Sequence, residues 1–177
     1  LTDFPDERIE LTYDQALAQV HLLADLHGRF YQSPELGTAT LPFRHWSKWW
    51  TDMLAGAPDY PECCDLALDA AGDVIAPLLL RRRSEIWPHT MKAAALHKEL
   101  PPSLLHGDAH LKNWYLPHAG GIGLHDWQLV NVGHWSRDYS YATLTSLTVD
   151  QRRRWERDLL GTYLDRLASN GGERILY

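Results

Sequence analysis

Cysteine is almost missing from this chain of 177 residues: Cys63 and Cys64 are the only two, and they are neighbours. Adjacent cysteines rarely bridge comfortably, and two thiols make neither a disulfide framework nor a zinc site. Reduced thiols in a cytoplasmic protein are therefore expected. No apolar run approaches the length of a membrane-spanning helix, and no charged-then-apolar leader opens the sequence. An excess of positive charge is lacking too. The formal net charge is −6, and Arg81-Arg82-Arg83 and Arg152-Arg153-Arg154 are the only basic runs. Solvated helix faces explain such runs better than a nucleic-acid or membrane surface does, so neither partner is expected. Repeats and low-complexity segments are absent. What remains is 45% apolar and 23% charged, an ordinary globular composition in a chain large enough for a real core.

Helical signals fill both ends. Thr12-Tyr13-Asp14-Gln15 reads as a capping box opening a helix to about Tyr31, with Ala16, Val20, Leu23, Ala24, His27, Phe30 and Tyr31 on one face. On that face His27 reads as a satisfied core histidine rather than a ligand. Trp46, Trp49 and Trp50 share a face of a short helix ending near Gly56-Ala57-Pro58 and are expected in the core. A helix over about Pro61 to Ala71 follows, then a longer one from about Ile75 to Leu96 that Pro88 should kink or break. Leu104-Leu105-His106 suggests a buried strand. Trp114-Tyr115-Leu116 and Ile122-Gly123-Leu124-His125 suggest a hairpin around His118-Ala119-Gly120-Gly121. Two more helices close the chain, one over about Arg137 to Ser146. The other runs from the capping box Thr148-Val149-Asp150-Gln151 to Asn170-Gly171, with Trp155, Leu159, Leu160, Tyr163, Leu164 and Leu167 inward.

Between these helical halves lies His106-Gly107-Asp108-Ala109-His110-Leu111-Lys112-Asn113, followed shortly by Gly123-Leu124-His125-Asp126-Trp127-Gln128. Asn113 stands five residues after Asp108, and Asp126 thirteen after Asn113. An acid, an amide and a second acid at these spacings suit phosphoryl transfer. An acceptor hydroxyl needs a carboxylate to orient it and take its proton, and Mg²⁺ is a hard cation that wants oxygen ligands. An Asn carbonyl and a second carboxylate supply them with less repulsion of phosphate than three acids would. The same residues admit a rival. In an extended backbone His106, Asp108 and His110 would point to one side as ligands of a hydrolytic metal, with His118, His125 or His134 completing the set.

At these residues the chain resembles the aminoglycoside phosphotransferase and choline kinase superfamily, and most of all its ecdysteroid-kinase-like branch. That branch shows His-Gly-Asp-x-His-x-x-Asn, a hairpin, Asp-Trp-Gln, a Gly and a later Asp-x-x-Tyr. The match here is His106, Gly107, Asp108, His110 and Asn113, then Asp126, Trp127 and Gln128, then Gly133 and Asp138 to Tyr141. Leu26-His27 and Ser33-Pro34-Glu35-Leu36 are similar to the segment that follows the family's hinge. The resemblance implies an α+β, mainly helical fold: the C-terminal lobe of a protein-kinase-like enzyme, with a small β-hairpin carrying the catalytic and metal-binding loops. It implies that Asp108 is the catalytic base and that Asn113 and Asp126 bind Mg²⁺ facing the phosphates of ATP. His106 and Asp138 would hold the catalytic loop by hydrogen bonds, although Asp138 is also an ordinary residue for a helix N-terminus.

Lys112 stands where the family usually has a small residue, and His125 where it has an apolar one; Trp127 and Gln128 match without an evident chemical role. Such kinases also carry an N-terminal β lobe with a glycine-rich loop and a phosphate-paired lysine. Here the first lysine is Lys48, and Gly120-Gly121-Ile122-Gly123 is a hairpin turn with no helix after it. The expectation is one domain over residues 1–177 that lacks the β lobe, cut at both ends from a longer parent. Its partners are ATP, a small-molecule hydroxyl acceptor and that lobe. By itself it is expected to be a poor enzyme or a non-catalytic, kinase-like binding module. Trp46, Trp49, Trp50 and Trp87 permit an apolar or cationic acceptor without selecting one.

Overall fold

The computed structural model describes residues 2–5 and 9–176. In chain order the elements are β1 (Thr2–Asp3), α1 (Tyr13–Arg29), α2 (Trp46–Gly56), α3 (Tyr60–Ala71), α4 (Pro77–Arg81), α5 (Arg83–Leu96) and β2 (Ser103–Leu105). Then come β3 (Trp114–Pro117), β4 (Gly123–Leu124), β5 (Asn131–Gly133), α6 (Ser136–Ser146) and α7 (Val149–Ser169). The fold is mainly helical with two small antiparallel sheets. Two compact units divide the chain, one made of Leu1–Arg44 with Pro101–Tyr177, the other of His45–Leu100.

In the first unit α1 packs along α7. Both begin at capping boxes: Thr12 accepts from the Gln15 amide while the Gln15 side chain accepts from the Thr12 amide, and Thr148 and Gln151 do the same. Each box satisfies two of the donors that a helix start leaves open. The Gln151 side chain also donates to the Leu11 carbonyl (2.8 Å), tying the start of α7 to the segment that enters α1. Ala16, Val20, Leu23 and Ala24 meet Leu159, Tyr163, Leu164 and Leu167 in one core that includes Trp114 and Ala142. Phe30 and Tyr31 are only half-buried, because α1 stops at Arg29.

Two short ladders aim the loops of interest. β2 pairs with β5, with Leu104 opposite Val132, and its end delivers the chain directly into residues 106–113. β3 starts where that loop ends. It pairs with β4, with Trp114 opposite Leu124, so that Asp126 emerges beside the same loop, and it pairs on its other edge with β1. The sequence reading anticipated β2 and the β3–β4 hairpin but neither β1 nor β5. Asn131-Val132-Gly133 has one apolar residue and nothing to alternate with it.

The second unit is helical. His45 caps α2 by accepting the Ser47 amide at Nδ1 (3.2 Å). The tryptophan stripe is less buried than expected: Trp46 is buried, whereas Trp49 and Trp50 are half-exposed. The single helix expected from Ile75 to Leu96 is two, and the break falls at Arg82, not Pro88. Arg82 leaves helical geometry (φ −104°, ψ 14°) as its amide closes α4 on Leu79. Its guanidinium then pairs with Glu85 (2.7 Å) in the first turn of α5. Pro88 lies within α5. It deprives the Ser84 carbonyl of a helical donor, but Ser84 is exposed and water can serve that oxygen. Cys63 and Cys64 are both free thiols. Among the described residues no helix is long and apolar enough to cross a membrane.

Candidate active site

The site is built outward from one buried carboxylate. Asp138, in the first turn of α6, is fully buried, and its oxygens accept from the backbone amides of His106 (2.6 Å) and Gly107 (3.0 Å). His27 of α1 brings Nε2 to 3.3 Å from the same carboxylate, and its Nδ1 lies 2.7 Å from the Tyr163 hydroxyl of α7. Burial works against the charged form of Asp138. The hydrogen bond and charge of His27 and the two amides outweigh it and hold the carboxyl below its ordinary value. Burial, helped by the nearby Asp138 charge, pushes the Tyr163 hydroxyl well above its ordinary value, so Tyr163 stays a neutral phenol beside His27 Nδ1. The loop start is thus pinned to three helices at once.

Gly107 permits this geometry. Its φ is +86°, and a Cβ there would overlap the Leu129 carbonyl and the Asn131 side-chain amide. Gly107→Ala combines a strained backbone with a clash against a fixed carbonyl. It is expected to destabilise the protein by about 2–4 kcal/mol, as read from the midpoint of urea unfolding.

His106 ties the two loops together. Its ring is fully buried; Nε2 donates to the His125 carbonyl (2.8 Å) and Nδ1 accepts from the Asp108 amide (3.2 Å). The Trp127 ring packs edge-on against it at 4.7 Å, held by a bond from the indole N–H to the Leu124 carbonyl (3.1 Å). His125 answers with its amide on the Asn113 carbonyl (2.9 Å) and its Nε2 on the Lys112 carbonyl (3.2 Å). The histidine that broke the apolar pattern before Asp126 is therefore a cross-tie.

These contacts count against the metallohydrolase alternative. Both ring nitrogens of His106 are spent on the backbone, and Gly107 turns the chain away from the extended form that His106, Asp108 and His110 would need to share one side. Among the described residues no three His, Cys, Asp or Glu side chains are placed to hold a metal ion.

Asp108 and Asn113 meet directly. The Asn113 side-chain amide donates to the Asp108 carbonyl (2.8 Å) and lies 3.3 Å from Asp108 Oδ2. This orients Asn113 with its own Oδ1 unspent among the described residues. The His110 ring stands 3.5 Å from Asp108 Oδ2, and Trp114, fully buried beneath the loop, donates to the Ala109 carbonyl (3.1 Å). Asp126 is exposed and left-handed (φ 62°, ψ 61°), with the Gln128 side chain 3.4 Å from its Oδ2. A residue with a Cβ holds that conformation at a cost of about 1–3 kcal/mol and only where its surroundings impose it. Here β4 and the His125 ties do so. The structure thus joins Asp108, Asn113, His106 and Asp138 in one hydrogen-bonded assembly and sets Asp126 one residue past His125, which is bonded to that assembly. Sequence reasoning missed His27 and Tyr163 as supports of Asp138; the one signal was a histidine on an otherwise apolar face.

Searches against curated proteins and against solved structures found no match. The family model described as the phosphotransferase enzyme family matches residues 6–174, which takes in both helical ends and the loops just described. The chain belongs to the phosphotransferase enzyme family.

Proposed function

We propose that this chain is the C-terminal lobe of a kinase-like phosphotransferase, nearest the ecdysteroid-kinase-like branch, that moves the γ-phosphoryl group of ATP to a hydroxyl of a small molecule. The observation that carries this reading is the Asn113 amide held on Asp108, on a loop fixed by Asp138. In the proposed step the acceptor oxygen bonds to the γ-phosphorus, the bond to the ADP oxygen breaks, and the acceptor proton passes to the Asp108 carboxylate. Asp108 orients the hydroxyl before it takes the proton, which is where most of the rate gain of such a site arises.

The residues fit Mg²⁺. The Asn113 nitrogen is turned to Asp108, so its oxygen is the atom left to offer, and among the described residues the Asp126 carboxylate has only the long contact to Gln128. Oxygen donors of this kind are what Mg²⁺ prefers, and when bound it would offset negative charge on the phosphate oxygens. Among the described residues no glycine-rich loop with a phosphate-paired lysine is present; Gly120 and Gly121 lie between β3 and β4. The remaining phosphate contacts are assigned to a β lobe outside this chain.

The test is ATP consumption by the full-length protein against a panel of small hydroxyl acceptors, with and without Mg²⁺, beside the 177-residue chain alone. Acceptor-stimulated, Mg²⁺-dependent turnover by the full-length protein and little by the chain alone is the expected result. Equal turnover by the chain alone would overturn the lobe assignment. Absence of ATP consumption with every acceptor would overturn the kinase reading.

A further inference from the structure

The helical unit His45–Leu100 contains a pocket of about 490 Å³ that none of the residues discussed above as catalytic lines. Three of its walls are aromatic, one ring from each of α2, α3 and α5. Trp50 and Tyr60 meet edge to face at 5.8 Å, and Trp87 stands 6.3 Å from Trp50 and 6.0 Å from Tyr60. All three rings remain partly exposed, so the cluster is an open aromatic wall and not a finished core. Leu68 adds apolar surface.

The charge in this pocket is one-sided. Arg83 and Asp65 both line it, but the Arg83 guanidinium is paired with Asp69. Among the described residues the Asp65 carboxylate has no hydrogen-bond or ion-pair partner. Aromatic faces and an unspent carboxylate attract the same thing, a positive charge.

We propose that this pocket binds an organic monocation with a bulky apolar body. Size and charge select this class. A pocket of several hundred Å³ suits a drug-sized ligand, which a bare tetraalkylammonium head would leave mostly empty. One carboxylate answers one ammonium, so a polyamine would bury charges without partners. A neutral body of the same shape would cover the rings but strip water from Asp65 without replacing it.

The test is tryptophan fluorescence titration of the full-length protein with four probes: 4-phenylbutyltrimethylammonium, tetramethylammonium, 4-phenylbutanol and spermine. The phenylbutyl cation is expected to bind about tenfold or more tighter than each of the others, since it alone joins apolar contact to a single cation–π charge. Trp87→Leu should weaken it about tenfold, and Asp65→Asn about threefold, the modest effect of an exposed charge. Asp65→Asn should leave the weak binding of 4-phenylbutanol unchanged, whereas Trp87→Leu removes apolar wall as well as ring charge and should weaken the alcohol too, by a smaller factor. Asp65→Asn lies on the surface and keeps the test open if Trp87→Leu does not fold. The proposal falls if 4-phenylbutanol binds as well as the cation, if spermine binds better, if no probe quenches at millimolar concentration, or if both variants leave the cation preference intact.

Discussion

Asp108→Asn in the full-length protein is expected to lower kcat for phosphoryl transfer by about 10²–10⁴-fold, the usual worth of a positioned general base. The KM for ATP should stay close to the wild-type value. The split follows from the contacts. The bond that orients Asn113 ends on the Asp108 backbone carbonyl, which the substitution keeps. The amide of Asp108 still reaches His106 Nδ1, and Asp138 still holds the amides of residues 106 and 107. Loop geometry and the placement of Asn113 should therefore survive, and what is lost is an oxygen able to take a proton. A loss confined to kcat marks an interaction made in the transition state alone. Steady-state kinetics beside a thermal melt check both halves. Activity within tenfold of wild type would remove Asp108 from the role of base. A raised KM with unchanged kcat would make it a binding residue instead.

How much of this was legible before the structure depended on the range of the interaction. The capping boxes at Thr12 and Thr148 depend on residues three apart, and both helices stand where those signals put them. The β3–β4 hairpin is equally local. The break at Arg82 was misplaced to Pro88 because a proline looks decisive in sequence, whereas its actual cost depends on whether the orphaned carbonyl can reach water. Burial of the tryptophan stripe was overestimated for a similar reason. Helical spacing shows which residues share a face but not how many neighbours arrive to cover it. At the site, residue types and spacing marked Asp108, Asn113 and Asp126, and the family resemblance named His106 and Asp138 as hydrogen-bonded anchors of the loop, but nothing pointed to what holds Asp138 in turn. His27 lies 111 residues from Asp138, and Tyr163 lies 136 from His27. No local pattern announces such pairs. The ties of His106 and His125 end on backbone carbonyls, which carry no sequence signature at all.

Asp138→Ala is expected to be the most damaging single change to the fold, at about 3–5 kcal/mol, the usual result of removing one partner from a buried charged network. It leaves the amides of His106 and Gly107 and the His27 ring without an acceptor in a region closed to water. Against a typical total stability of about 5–15 kcal/mol, that loss should leave a substantial fraction unfolded at growth temperature. Its pH dependence separates this account from simple loss of packing. The folded carboxyl is held below its ordinary value, so the unfolded chain takes up its proton first as the pH falls. The contribution of Asp138 is then complete above its unfolded value, about 4, and drains away as the pH drops through the lower folded value. Urea unfolding of wild type and Asp138→Ala should therefore give a constant difference between about pH 5 and pH 7 and a shrinking one below about pH 4. A difference that does not shrink in acid would mean that side-chain volume, not charge, is what α6 contributes. The loop would then rest on its other ties, chief among them that of His106 to the His125 carbonyl. In that case His106→Ala, and not Asp138→Ala, should be the variant that frees residues 106–113.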